Sequence, residues 1–85
     1  MRIIRRYVLP LRAYLSVPLP RKARVVHVEL HNGEPCLWVD LDTDAKEEQR
    51  QFSMIETGQP VPLEASYLGT FLIALRSWHL FQMEK

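Results

Sequence analysis

The chain has 85 residues, 47% of them hydrophobic. A chain this short buries only about 60–65% of the surface its unfolded form exposes, so one domain with a thin core is expected. A single cysteine, Cys36, excludes an internal disulfide and a multi-cysteine zinc site and suits a reducing cytoplasm; no apolar run approaches the ~18 residues of a membrane span. Net charge is only +1, but Arg2, Arg5, Arg6, Arg12, Arg21, Lys22 and Arg24 fall in the first 24 residues with no acid among them, and all ten acids follow.

Arg2 to Leu9 mixes Ile, Tyr and Val and reads as a first strand, stopped by Pro10. Arg5-Arg6 ahead of Tyr-Val-Leu-Pro-Leu has a trace of an export signal, but Pro10 and Arg12 break the apolar run too early. The segment reads as the mature start of a cytoplasmic protein. Ala13 to Leu19 is a second extended piece, which Pro18 and Pro20 confine to an edge or a turn.

Arg24 to Asp42 then reads as two strands joined at Asn32-Gly33, since both residues tolerate the positive φ of a tight hairpin turn. Alternation places Val26, Val28 and Leu30 on one face of the first arm, and Val25, His27, Glu29 and His31 on the other. In the second arm Leu37, Val39 and Leu41 oppose Cys36, Trp38, Asp40 and Asp42.

Residues 42–49 read as a solvated connection in which Asp44 and Glu47 could cap at most one helical turn. Gln51 to Thr57 is the next strand, with Phe52, Met54 and Glu56 on one side. A loop follows, and Gly58 in it is expected to take a φ that other residues avoid. Tyr67 to Leu75 and Trp78 to Met83 read as the last two strands. Leu68, Phe71, Leu72, Leu75 and Trp78 also fit one face of a helix, although the aromatic and β-branched content and Gly69 favour strands. The expected fold is all-β: five to six antiparallel strands in a small barrel or sandwich. Open edges, a thin core and two tryptophans, Trp38 and Trp78, suggest a homo-oligomer, most simply a dimer.

Catalytic and metal chemistry find little support. His27 and His31 are four residues apart, ~13 Å along a strand, too far to share one metal, and His79 is remote in sequence. Cys36 lies across the hairpin from the histidine arm without a third, orienting group. Asp40, Asp42 and Asp44 lack the glycine and terminal glutamate of a calcium loop. No enzyme activity, metal or cofactor is expected.

Two segments, Thr57-Gly58-Gln59-Pro60 and Tyr67-Leu68-Gly69-Thr70-Phe71, combine glycine, hydroxyls and a ring, a set that can clasp a small ligand or simply serve turns and packing. Trp38 and His79 fit either a site or a core. The basic first quarter either pairs with the later acids or forms a patch for an anionic partner; nucleic acid is a minor option at this net charge.

In order along the chain, Tyr7-Val8-Leu9, Pro20-Arg21-Lys22-Ala23, Cys36-Leu37-Trp38, Thr57-Gly58-Gln59-Pro60-Val61, Tyr67-Leu68-Gly69-Thr70-Phe71 and His79-Leu80-Phe81 form a set that resembles a group of small, functionally uncharacterised proteins encoded by bacteriophages and prophages. The chain departs from that group at Lys22 and at Ala74-Leu75-Arg76-Ser77, where the group tends to carry glycine. The resemblance implies a phage or prophage origin and expression in bacterial cytoplasm. It brings no catalytic residue.

By analogy with phage accessory proteins, the expectation is a non-catalytic counter-defence protein that sequesters a small anionic, nucleotide-type signal. The residues expected at its site are Arg24, Trp38, Thr57, Gly58, Tyr67, Gly69, Thr70 and His79. Arginine would hold the anion, the threonines would add hydroxyl bonds, and Tyr67 would stack on a base. The alternative is a protein-binding inhibitor of a host or defence complex, acting through a basic patch or an exposed strand edge.

Overall fold

The computed structural model describes residues 1–83. Among them run seven strands: β1 (Arg2–Val8), β2 (Tyr14–Pro20), β3 (Arg24–His31), β4 (Glu34–Asp42), β5 (Glu47–Glu56), β6 (Ala65–Ile73) and β7 (Arg76–Met83). All pairings are antiparallel, and they make two open sheets, ordered β1-β4-β3 and β2-β5-β7-β6. The chain is therefore all-β as expected, but five to six strands is an undercount, and the sheets do not close into a barrel. Leu37, Val39 and Leu41 of the first sheet and Leu15, Leu19, Phe52, Met54, Phe71 and Leu80 of the second meet in one buried core between them. Each such side chain contributes about 1.5–3 kcal/mol by leaving water.

The segment read as a solvated connection is strand in its second half and lengthens β5. Glu47, Glu48 and Gln49 already belong to β5 and pair with Pro20, Leu19 and Pro18. Strand β7 reaches only Phe52 to Glu56 of β5, so the first half of β5 has a neighbour on one side alone. Glu47, Glu48, Gln49 and Gln51 are exposed there, in keeping with their polarity, while the partly buried Arg50 donates to the Ala23 carbonyl.

Asn32 (φ 52°) and Gly33 (φ 79°) form the two-residue turn between paired His31 and Glu34. The face assignment of the first arm needs one correction. A bulge between Val25 and His27 adds a residue to β3, so Val25, Val28 and Leu30 pack on the core while Val26 is exposed. One inserted residue reverses the parity of everything before it.

The segment after residue 65 is a hairpin, not a helix. Of its helix-like apolar set only Phe71 is fully buried; Leu68 sits in a second bulge, and Leu72 and Leu75 are exposed. Its turn is Ala74 (φ 51°) and Leu75 (φ 68°), a left-handed pair built without glycine or asparagine. Lys22 (φ 65°) is left-handed too. The chain thus lacks glycine at turn positions whose backbone suits it best.

The four sheet edges differ. Strand β2 carries Pro18 and Pro20, as its edge position was expected to allow. Bulges interrupt β3 and β6, whose edges approach each other where Val28 meets Gly69. Strand β1 is regular over all seven residues.

Candidate functional site

The outer face of the second sheet assembles four of the residues singled out in the sequence. Alternation on the paired strands β6 and β7 sets Thr70 directly opposite His79, and Tyr67 opposite Phe81. Thr57, just past β5, reaches the same imidazole from the other side. His79 Nε2 lies 2.7 Å from Thr57 Oγ1, and its Nδ1 lies 3.0 Å from Thr70 Oγ1. Tyr67 Oη continues the chain, 2.6 Å from Thr70 Oγ1, and its ring meets Phe81 edge-on at 5.8 Å. In the neutral imidazole one nitrogen donates to its threonine while the other accepts. The hydroxyls and the ring therefore fix one another, and among the described residues no arginine or lysine bonds to them.

The two glycines of this set do different things. Gly58 has φ 95°, and a Cβ there would meet nothing within 4 Å, so the backbone conformation alone asks for glycine. Gly69 is buried. A Cβ on it would stand 1.8 Å from Val28 Cγ2, so packing between the two sheets, rather than approach to a ligand, demands glycine there. Beside the Thr57–Gly58 turn, Ala13, Tyr14, Ser53, Ile55, Gln59 and Pro60 are among the residues that line a cleft of about 310 Å³.

Arg24 and Trp38 are not part of this cluster. Both lie on the outer face of the first sheet. Trp38 is half-buried there between His27 (ring centroids 5.3 Å apart) and His31 (6.3 Å, edge-on). Cys36, on the same strand face, is fully buried and offers no reachable thiol. The expected single site of Arg24 with Thr57, Thr70 and Tyr67 is thus divided between opposite faces of the molecule.

Arg24 instead borders a groove of about 350 Å³ with Arg2, Arg21, Lys22 and the chain's amino group. Asp40 is its floor. Arg2 grips that carboxylate with two hydrogen bonds, Nε to Oδ1 at 2.8 Å and a terminal nitrogen to Oδ2 at 2.6 Å; Arg24 stands off at 3.7 Å. The hydrogen bonds from Arg2, then its charge and that of Arg24, hold Asp40 below the usual carboxylate range. The amino group's pKa is raised by its bonds to Asp44 and Asp42, which it meets at 2.9 and 3.1 Å.

Pairing between the basic first quarter and the later acids is therefore partial. Arg2 and Arg24 share Asp40, whereas among the described residues Arg5, Arg6, Arg12, Arg21 and Lys22 have no ion pair. Sequence reasoning chose Arg24 but missed Arg21 and Lys22 beside it. The signal was present in the run of seven bases without an acid; the missing knowledge was that the turn after β2 folds back against β4. Among the described residues no three His, Cys, Asp or Glu side chains converge as a metal site requires, and no helix is long and apolar enough to cross a membrane.

No curated protein and no solved structure matches the chain. The model of one family, described as a domain of unknown function (DUF7352), matches residues 1–85, and the chain belongs to that family.

Proposed function

We propose that the chain is a non-catalytic binding protein that holds a small anionic ligand in the groove of Arg21, Lys22 and Arg24. One observation carries this reading: Arg21 and Lys22 have no acid partner among the described residues, and they share one concave surface with Arg24, itself only loosely paired. Clustered cations repel one another and are relieved by an anion. Arginine suits a phosphate because its planar fork donates two parallel hydrogen bonds. Asp40 keeps Arg2 occupied and fixed, so Arg2 shapes the groove while the other three face the ligand. A left-handed lysine at the lip is strained backbone of the kind that gathers at binding sites. In the phage setting that the sequence resemblance implies, such a protein would sequester a nucleotide-type signal in bacterial cytoplasm.

The test is calorimetry against a panel of cyclic and linear nucleotides and ADP-ribose derivatives. Binding tighter than about 10 μM is expected for at least one of them. Arg24→Ala should weaken it by about 1.5–3 kcal/mol, the range for hydrogen bonds to charged groups. Thr70→Val should leave it unchanged, because Thr70 lies on the opposite face. No binding by the wild type, or equal loss in both variants, would defeat the reading.

A further inference from the structure

Strand β1 is an edge, and its register shows which backbone groups it leaves free. The Leu9 N–H donates to the Pro35 carbonyl at 2.9 Å, and the Thr43 N–H donates to the Met1 carbonyl at 2.8 Å. The ladder between those two bonds alternates, so Ile3, Arg5 and Tyr7 direct their amides and carbonyls toward β4. Arg2, Ile4, Arg6 and Val8 direct theirs outward. Of the four edges β1 alone has neither proline nor bulge.

The side chains on this edge are selective. Arg5 and Arg6 are exposed and have no ion pair among the described residues. Ile4 and Val8, on the outer face with Arg6, are 62% and 50% exposed. Because free-edge residues pair with free-edge residues, a second copy of β1 aligned antiparallel here would set Arg5 opposite Arg5 or Arg6 opposite Arg6, which like-charge repulsion disfavours. The same charges favour a strand of opposite sign. Successive residues of a strand point to opposite faces, and Arg5 and Arg6 do so here. Their complement is two consecutive acids flanked by apolar residues, which match Ile4 on one side and Tyr7 on the other.

We propose that the β1 edge is a docking site for an extended acidic segment of a partner protein, added to the first sheet as a fourth strand beside β1. Main-chain bonds to Arg2, Ile4, Arg6 and Val8 supply affinity, and the acid pair against Arg5 and Arg6 supplies choice of partner. Arg5 and Arg6 do not line the anion groove, so the inference stands or falls independently of it.

The experiment uses a capped, fluorescently labelled peptide, Thr-Val-Glu-Glu-Val-Thr, whose symmetry suits either strand direction. Saturable binding by fluorescence anisotropy is expected. The Lys-Lys counterpart should not bind. Arg5→Glu/Arg6→Glu should reverse that preference, with at least a tenfold loss for the Glu-Glu peptide. Ile4→Pro removes one outward N–H and none of the bonds to β4, so it should abolish binding while circular dichroism stays unchanged. In the wild type, bound peptide should slow amide exchange at Ile4, Arg6 and Val8 but not at Ile3, Arg5 or Tyr7, which are already bonded. Absence of binding overturns the proposal. So does binding that survives Ile4→Pro in a folded protein or leaves those three amides unprotected, since that is ionic adhesion and not strand addition.

Discussion

The turn between β6 and β7 should be improvable by substitution. Ala74 and Leu75 both hold positive φ, at 51° and 68°. A left-handed backbone costs a residue with a Cβ about 1–2 kcal/mol. Glycine escapes that cost but loses about 0.5–1 kcal/mol through the greater freedom of the unfolded chain. Asparagine tolerates the conformation with less of that penalty. Leu75 is 95% exposed, so removing its side chain forfeits no burial. For Ala74→Asn/Leu75→Gly the balance is a gain of about 1–2 kcal/mol, or about 5–10 °C in Tm for a domain of this size. Urea unfolding followed by circular dichroism measures it, with an unchanged m-value as the sign that only the native turn was altered. Gly33→Val is the mirror control: a Cβ there meets nothing within 4 Å, so its cost of about 1 kcal/mol or more comes from the backbone. A double variant no more stable than the wild type would refute the strain argument for the β6–β7 turn. A neutral Gly33→Val would refute it for both turns.

Gly69→Ala should destabilise the protein by about 1–3 kcal/mol, because the new Cβ collides with the stiff Val28 side chain. Adding Val28→Ala should recover part of that loss in a denaturation cycle, and strict additivity would mean the two sheets do not meet there. Asp40 is held below its ordinary range by its hydrogen bonds from Arg2, and Asp42 by the Asp44 backbone N–H and then the amino group. Their folded values lie beneath the unfolded ones, so their stabilisation is complete above about pH 4 and is lost as pH falls through the folded values. Asp40→Asn should therefore flatten the acid limb of urea midpoints plotted against pH. Sedimentation at micromolar concentration tests the expected dimer; Tyr14, Tyr67 and Leu72 are the exposed apolar groups on the outer face of the second sheet that it would cover, whereas Trp78 already packs on the core.

Much of the fold was legible because a strand's period is two. Leu37, Val39 and Leu41 fill the core as their alternation required, and Asn32-Gly33 turns as its backbone preferences required. The same rule misplaced Val26, because a bulge has no signature when both candidate residues are valines. Ala74-Leu75 announces no turn; the flanking strands impose it, and local preference yields to their pairing.

The division of the candidate site has a topological cause. The chain changes sheet three times, from β1 to β2, from β2 to β3 and from β4 to β5, so that β1 pairs with β4 and β2 with β5. Such pairings join residues as far apart as Arg2 and Asp42 or Tyr14 and Ser53, and no local pattern encodes them. Residues close in sequence on one hairpin, such as Thr70 and His79, could be placed together by counting. Arg24 and Thr57 could not, since counting gives a strand's faces but not the sheet it joins. Arg24 follows β3 into the first sheet, where Asp40 of β4 meets both it and Arg2 of β1. All the basic residues of the first quarter except Arg12 thereby fall on the first sheet or the turn leading into it. The hydroxyl cluster is left on the second sheet, where its polar groups bond to one another and to the Ser77 carbonyl, and the positive charge of Arg5, Arg6, Arg21 and Lys22, unpaired among the described residues, lies with the first.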